Sequence, residues 1–250
     1  MPTDDPTRTT KLVCLPYAGA GASLYRPWTA LAGDALEIVA LHLPGRERLI
    51  DDEPYRDVHR AVDALLAQLR ERLGAGEHRI ALFGHSLGAV LAYELAHRLV
   101  AEPGVELVHL FVSGSPEPDR GRDRRATGLS DEEFLARVGE FAGYRHPALD
   151  DPEMRELVLP TLRADVEMHE NYVRSTRLPL DAPLTVVRGA DDDLVARDDA
   201  ASWSMATGRD FTHVEVPGGH MYLTESAPAL VRVITSTVLA PHPLSPTVKE

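Results

Sequence analysis

Hydrophobic residues along this chain follow two alternating patterns. Short continuous apolar runs, typical of buried strands, alternate with longer segments in which apolar residues recur every three to four positions, as on one face of a helix. The runs predict strands at residues 11–15, 36–41, 79–83, 106–112 and 184–187, and a sixth strand is predicted at residues 211–216. The longer segments predict helices at residues 23–31, 55–73, 89–101, 197–205 and 227–239, with Ser23 as the N-cap of the first. This alternation predicts right-handed βαβ units and an α/β fold with a mostly parallel sheet flanked by helices.

One segment interrupts the alternation. Between about residues 116 and 180 the pattern predicts two helices, at residues 131–141 and 152–173, and no strand. Because this stretch is too long for a plain crossover between neighbouring strands, we interpret it as a helical lid over the active site rather than as a separate domain. We therefore expect residues 1–250 to form a single α/β domain with the lid inserted into it.

The composition adds limits to this picture. The chain is 44% hydrophobic and 26% charged, as in an ordinary soluble globular protein. Its formal net charge of −13 disfavours nonspecific nucleic-acid binding. No apolar run reaches membrane-spanning length, and the polar N-terminus does not resemble a secretory signal. Since there is a single cysteine, Cys14, no intramolecular disulfide is possible. We expect a cytoplasmic protein with neither a nucleic-acid nor a membrane partner.

The segment Gly84-His85-Ser86-Leu87-Gly88 carries the first candidate for chemistry. It has the form Gly-x-Ser-x-Gly and lies between a predicted strand and a predicted helix, which is the setting of a nucleophile elbow. In such a turn the serine hydroxyl is held out beside its base, and glycines on either side let strand and helix approach closely. Ser86 is therefore the predicted nucleophile, whereas His85 is expected to support the turn.

A serine nucleophile needs a base, and the base needs an acid that orients it. Of the 11 histidines, His220 follows two glycines in the loop after the last predicted strand, where it can face the elbow. Three consecutive aspartates, Asp191, Asp192 and Asp193, follow the preceding strand. The order serine, aspartate, histidine is that of α/β-hydrolases. We predict His220 as the base and favour Asp192 as the acid, with Asp191 as second choice and a solvated acidic turn as the alternative.

Two backbone N–H groups are the expected oxyanion donors. One belongs to Leu87, the residue after the nucleophile, and the other to Ala18, in the Gly/Ala-rich loop after the first strand. That loop, residues 18–22, matches neither a dinucleotide-binding fingerprint nor a phosphate-binding loop with its lysine. Because the sequence also has no HExxH motif and no Cys/His cluster, we predict neither a cofactor nor a metal ion.

Four segments carry a resemblance to a known family. They are Leu15-Pro16-Tyr17-Ala18-Gly19-Ala20-Gly21, Leu43-Pro44-Gly45-Arg46-Glu47-Arg48, the elbow, and Pro217-Gly218-Gly219-His220-Met221-Tyr222-Leu223. Together they resemble the type II thioesterases of polyketide and nonribosomal-peptide synthesis, which have the α/β-hydrolase fold, and the match extends over nearly the whole chain. Residues 159–165 are also similar to the lid helix of that family. The family often has histidine at the position of Tyr17 and an aromatic residue at that of Met221.

The resemblance implies a discrete hydrolase that removes stalled or wrong acyl groups from the phosphopantetheine arm of acyl or peptidyl carrier proteins. His220, oriented by Asp192, would deprotonate Ser86, and an acyl-enzyme would form and be hydrolysed. Phosphopantetheine belongs to the substrate, so no bound cofactor is implied. The alternatives are a product-releasing or fatty-acyl thioesterase, a general serine esterase, and a non-catalytic protein that binds carrier proteins.

Docking of a carrier protein requires a local basic surface, because carriers are typically acidic and this chain is acidic too. The densest basic cluster lies at the start of the predicted lid and comprises Arg120, Arg122, Arg124 and Arg125. We hypothesise that this cluster contacts the carrier, and a solvated loop is the alternative.

Overall fold

A parallel six-stranded sheet organises the fold. The computed structural model describes residues 9–119, 125–142 and 149–240. The strands are β1 (Thr10–Leu15), β2 (Leu36–Ala40), β3 (His78–His85), β4 (Val105–Ser113), β5 (Leu184–Gly189) and β6 (Phe211–Val216). Neighbouring strands pair in the order β2-β1-β3-β4-β5-β6, and every pairing is parallel. The predicted fold class, a mostly parallel sheet flanked by helices, is confirmed.

The strand order changes direction at β1. The chain passes from β1 to β2 on one side and returns to β3 on the other, so that β1 pairs with both. In open parallel sheets, ligands bind outside the carboxyl ends of the strands at such a switch point. The loops that follow β1 and β3 at this point contain Ala18 and Ser86.

Helices cover both faces of the sheet. In the described ranges they are α1 (Arg26–Ala32), α2 (Val58–Leu73), α3 (Leu87–Leu99), α4 (Asp131–Ala142), α5 (Pro152–Glu170), α6 (Arg197–Ala201), α7 (Tyr222–Glu225) and α8 (Ala227–Leu239). The apolar sides of α2 and α3 pack on one face of the sheet, and those of α1 and α8 pack on the other. Within the described part of the chain, no helix combines the length and the apolar character that crossing a membrane requires.

Capping accounts for two differences from the predicted helix boundaries. α2 begins at Val58 rather than at residue 55, because the carboxylate of Asp57 accepts a hydrogen bond from the N–H of Arg60 at 2.9 Å. The prediction that Ser23 is an N-cap is wrong. Ser23 lies inside a 3-10 helix, Ala22–Tyr25, and its own N–H donates to a carboxylate from another loop, that of Glu47.

The segment between β4 and β5 contains α4 and α5. These helices share an apolar cluster with the segments beside them, formed by Ala126, Phe134, Leu135, Leu149, Leu159, Leu162 and Val166. Ala18, in the loop after β1, packs against this cluster. The segment therefore contacts a loop of the switch point, and its action as a lid stays a prediction.

Candidate active site

Ser86 occupies a strained turn between β3 and α3. Its φ of 52° and ψ of −116° lie in a region that residues other than glycine rarely adopt, at a cost on the order of 1–3 kcal/mol. The N–H of Ser86 donates to the carbonyl oxygen of Ser113, at the end of β4, over 2.8 Å. A Cβ on Gly84 would lie 1.8 Å from the carbonyl oxygen of Gly88. A side chain at position 84 would therefore clash with the first turn of α3. Ser86 itself is half-buried and lies just after the carboxyl end of β3.

Leu87 and Ala18, the predicted oxyanion donors, lie on adjacent segments. Leu87 is the first residue of α3, so its N–H has no acceptor within the helix. A Cβ on Gly88 would lie 2.5 Å from the carbonyl oxygen of Leu15, which means that the start of α3 packs against the end of β1. Ala18 is half-buried in the loop that follows Leu15. That both N–H groups bind an oxyanion stays a prediction.

His220 and Asp192 form a pair at the carboxyl ends of β6 and β5. The Nδ1 atom of His220 lies 2.9 Å from Oδ2 of Asp192. Oδ1 of Asp192 accepts hydrogen bonds from the N–H groups of Leu194 and Val195, at 2.9 and 3.2 Å. Asp192 is 2% exposed, whereas the aspartates on either side of it are exposed to solvent. Of the three consecutive aspartates, the structure therefore places Asp192 against His220.

Opposing effects set the pKa of Asp192. Burial raises it, but the hydrogen bond from His220, the electrostatic interaction with that side chain and the N–H groups of Leu194 and Val195 together outweigh burial. The pKa of Asp192 therefore lies below its ordinary value, and the carboxylate is ionised at neutral pH. Since Nδ1 of His220 is directed at this carboxylate, Nε2 is the ring atom left to exchange a proton.

His85 lies beside His220 but in a different environment. The two ring centroids are 4.9 Å apart, and the His85 side chain is fully buried. Its Nδ1 atom lies 2.9 Å from the hydroxyl oxygen of Ser113, which in turn hydrogen-bonds to the hydroxyl of Tyr222. Burial, followed by the charge of His220, lowers the pKa of His85 well below its ordinary value. The His85 ring is therefore neutral at pH 7, and its contacts are those of a side chain that supports the turn.

Two buried residues next to the site received no role from the sequence. The guanidinium of Arg46 binds both carboxylate oxygens of Asp165, at 2.7 and 2.8 Å. The same carboxylate accepts the N–H of Gly19, in the loop after β1, at 2.7 Å. Because the two charged residues are 119 positions apart, no local spacing relates them. The sequence points to these two residues only because each lies in a segment that resembles the family, residues 43–48 for Arg46 and residues 159–165 for Asp165.

The arginines of the hypothetical docking cluster are only partly within the described chain. Three of them, Arg120, Arg122 and Arg124, lie outside the described residues. Arg125 binds the side-chain oxygen of Asn171, and its Nε atom lies 3.5 Å from the carboxylate of Glu170. The docking hypothesis stays a prediction.

Comparison with known proteins decides the family. A family model described as the thioesterase domain matches residues 10–238. The chain belongs to the thioesterase family. This thioesterase is 31% identical over 235 residues to the gramicidin S biosynthesis protein GrsT of Aneurinibacillus migulanus, a match that covers 92% of this chain and 91% of that protein.

Two further relatives extend the comparison. The thioesterase is 32% identical over 220 residues to thioesterase PikA5 of Streptomyces venezuelae, with 88% of this chain and 78% of that protein covered. Among solved structures it resembles the type II thioesterase BorB from the borrelidin biosynthetic cluster, with a TM-score of 0.82, 34% identity and 94% of each chain covered. The predictions of a thioester hydrolase and of a likeness to type II thioesterases are confirmed.

Proposed function

We propose that this thioesterase hydrolyses acyl groups from the phosphopantetheine arms of acyl or peptidyl carrier proteins, and so removes stalled or wrong units during polyketide or nonribosomal-peptide synthesis. One observation carries the proposal. The strained Ser86 turn and the His220–Asp192 pair lie at the same edge of the sheet, and the ring of His220 is 4.9 Å from that of His85, the neighbour of Ser86 in the chain. The similarity to GrsT, PikA5 and BorB supports the choice of substrate.

Each step uses groups of this site. The Oγ atom of Ser86 attacks the thioester carbonyl carbon while Nε2 of His220 accepts the hydroxyl proton. The N–H groups of Leu87 and Ala18 bind the oxygen anion of the tetrahedral intermediate. The C–S bond then breaks, the phosphopantetheine thiol leaves with the proton from His220, and the acyl group remains as an ester on Ser86. His220 then deprotonates a water molecule, whose oxygen attacks the ester carbonyl carbon. The bond from this carbon to Oγ of Ser86 breaks, Oγ takes the proton from His220, and the carboxylic acid is released.

The electrostatics of the site favour this sequence of steps. The ionised Asp192 holds His220 with its proton on Nδ1 and stabilises the imidazolium that forms when Ser86 is deprotonated. A positive charge on His85 would lower the basicity of the neighbouring His220, and burial prevents that charge at neutral pH. The proposed reaction needs no cofactor, because the protein supplies nucleophile, base and oxyanion donors and the phosphopantetheine arrives with the substrate.

Hydrolysis of a panel of acyl carrier proteins, acetyl through longer chains, tests the proposal. The wild type is expected to hydrolyse several short acyl groups with modest selectivity, and Ser86→Ala none. Ser204→Ala, which alters an exposed serine, is the matched control and should keep full activity. A strong preference for one long acyl group would indicate product release instead. If the enzyme hydrolysed simple esters but none of the carrier-protein thioesters, the proposal that carrier proteins are its substrates would be refuted.

A serine-directed fluorophosphonate probe separates an enzyme from a non-catalytic binding protein. We expect the probe to label the wild type and Ser204→Ala but not Ser86→Ala, because only an activated serine reacts. Failure to label the wild type would favour the non-catalytic alternative.

Carrier docking on the arginine cluster is tested by charge reversal. The variant with all four arginines replaced by glutamate is expected to show a raised KM for an acyl carrier protein and an unchanged KM for a small thioester. Arg125→Glu alone controls for the loss of the contacts that this side chain makes with Asn171 and Glu170. An unchanged KM for the carrier would refute the docking site while leaving the activity in place.

A further inference from the structure

One buried ion pair holds the loop after β1 at two backbone groups. Oδ2 of Asp165 accepts the N–H of Gly19 at 2.7 Å, and Nη1 of Arg46 donates to the carbonyl oxygen of Ala20 at 3.0 Å. Arg46 and Asp165 also bind each other through two hydrogen bonds, at 2.7 and 2.8 Å. Arg46 is 7% exposed and Asp165 is fully buried. The Gly19–Ala20 dipeptide is therefore bound at its N–H and at its carbonyl.

The neighbour of Arg46 holds the end of the same loop. The carboxylate of Glu47 accepts the N–H groups of Ala22 and Ser23, at 3.1 and 2.8 Å. Glu47 itself has a φ of 51°, a conformation that residues other than glycine seldom adopt. The Pro-Gly-Arg-Glu segment thus places two consecutive charged side chains so that both bind the loop after β1.

Helix α5 keeps Asp165 in place against this loop. The hydroxyl of Thr161 donates to the carbonyl oxygen of Gly45 at 2.7 Å, so that α5 is tied to the segment containing Arg46. Gly19 has a φ of 79°, and a Cβ there would lie 3.1 Å from Cδ1 of Leu162. Helix α5 therefore packs closely on Gly19, and this packing holds the carboxylate of Asp165 against the Gly19 N–H.

We propose that Asp165 is a positioning residue for thioester hydrolysis. By binding the N–H of Gly19 it sets the orientation of the preceding residue, Ala18, whose N–H binds the oxyanion under the proposed function on which this inference rests. The N–H of Gly19 is occupied by Asp165 and that of Ala20 by the carbonyl oxygen of Tyr17, so neither is available to the oxyanion, and Ala18 directly precedes both. A carboxylate next to a developing anion would oppose it, and the bidentate contact with Arg46 compensates that charge.

Asp165→Asn tests the proposal with little change of shape. Asparagine offers one acceptor oxygen to the three N–H donors that now share two, so the hold on Gly19 is weakened. The substrate is a small acyl thioester without a carrier protein, and the inhibitor is an alkyl boronic acid, whose tetrahedral adduct with Ser86 places an oxygen in the oxyanion site. Rates are expressed per site labelled by the fluorophosphonate probe, so that loss of folded protein does not count as loss of catalysis. Asp131→Asn, which removes the negative charge from the exposed contact with Arg163, is the matched control.

We expect kcat per labelled site to fall about 10- to 100-fold, less than the roughly 10²–10³-fold cost of removing an oxyanion donor outright. The KM should stay the same, and the affinity for the boronic acid should fall by the same factor as kcat, because both report the oxyanion site. Asp131→Asn should match the wild type. An unchanged kcat per labelled site, or a fall in kcat with unchanged boronic acid affinity, would overturn the proposal.

A double variant covers the case in which Asp165→Asn does not fold. Arg46→Met with Asp165→Leu removes both charges together, so no buried charge is left without a partner. The Gly19 N–H still loses its acceptor, and the same parallel loss of kcat and boronic acid affinity is expected. Because these assays use no carrier protein, a wild type that hydrolyses small thioesters but no carrier thioester would refute the proposed substrate and leave this test intact.

Discussion

Replacement of Asp192 by asparagine is expected to inactivate the thioesterase through the tautomer of His220. Oδ1 of Asp192 accepts the N–H groups of Leu194 and Val195. An asparagine must direct its carbonyl oxygen at these two donors, because its NH2 group would face them with another donor. The NH2 group is then directed at Nδ1 of His220, which has to act as an acceptor. The ring proton therefore moves to Nε2, the atom that has to accept the proton of Ser86.

The expected loss in kcat is about 10³–10⁴-fold at neutral pH, the scale on which a Ser-His-Asp site responds to this substitution. It corresponds to roughly 4–5.5 kcal/mol of lost transition-state stabilisation. The variant should still fold, because the side-chain volume and both hydrogen bonds to the loop are retained. Steady-state hydrolysis of a small acyl thioester, followed by release of the free thiol, measures kcat, and thermal unfolding reports the fold.

Asp193→Asn is the matched control, since this neighbouring aspartate is exposed. It is expected to keep wild-type kcat. If folded Asp192→Asn retained more than about a tenth of the wild-type kcat, a cost below roughly 1.4 kcal/mol, the tautomer argument would be refuted. The same would follow if Asp193→Asn lost as much activity as Asp192→Asn.

Three further substitutions test the packing and the charge of the site. Because the pKa of buried His85 lies far below the value of about 6.5 in an unfolded chain, only the unfolded state gains this proton as the pH falls, and stability should decline below about pH 6.5. His85→Gln should reduce this decline in urea unfolding at pH 7.5 and 5.5, and an identical pH dependence would contradict the argument. Gly84→Ala, whose Cβ would lie 1.8 Å from a backbone oxygen, should lower the free energy of unfolding by at least about 1–3 kcal/mol. Gly139 lies in α4, and no described atom outside the backbone of its own helix lies within 4 Å of a new Cβ there. Gly139→Ala should therefore raise the free energy of unfolding by about 0.5–1 kcal/mol, and equal effects of the two alanines in urea unfolding would refute the packing argument.

Elements that depend on neighbours in the chain could be predicted. Most of the strands carry a run rich in apolar residues, as strands covered on both faces do, and the positions of all six agree with the structure to within two residues. The elbow depends on local spacing at Gly84, whose Cβ would meet the backbone of Gly88, whereas Gly88 itself is required by the distant carbonyl oxygen of Leu15 at the end of β1. Helix ends were predicted less well, since Asp57 and Glu47 cap through contacts that apolar periodicity does not report.

The amino-acid pattern was enough to identify the α/β architecture, the nucleophile Ser86 and the base His220 as candidates, because each depends on a short motif in a recognisable setting. It favoured Asp192 over its two acidic neighbours but could not decide between them, because burial and the two backbone N–H groups that distinguish Asp192 appear only when the loop is folded. Nor could it relate Arg46 to Asp165, whose pairing arises when α5 packs onto the loop after β1. Contacts between distant segments carry no fixed spacing along the chain, and here they arrange the groups around Ser86.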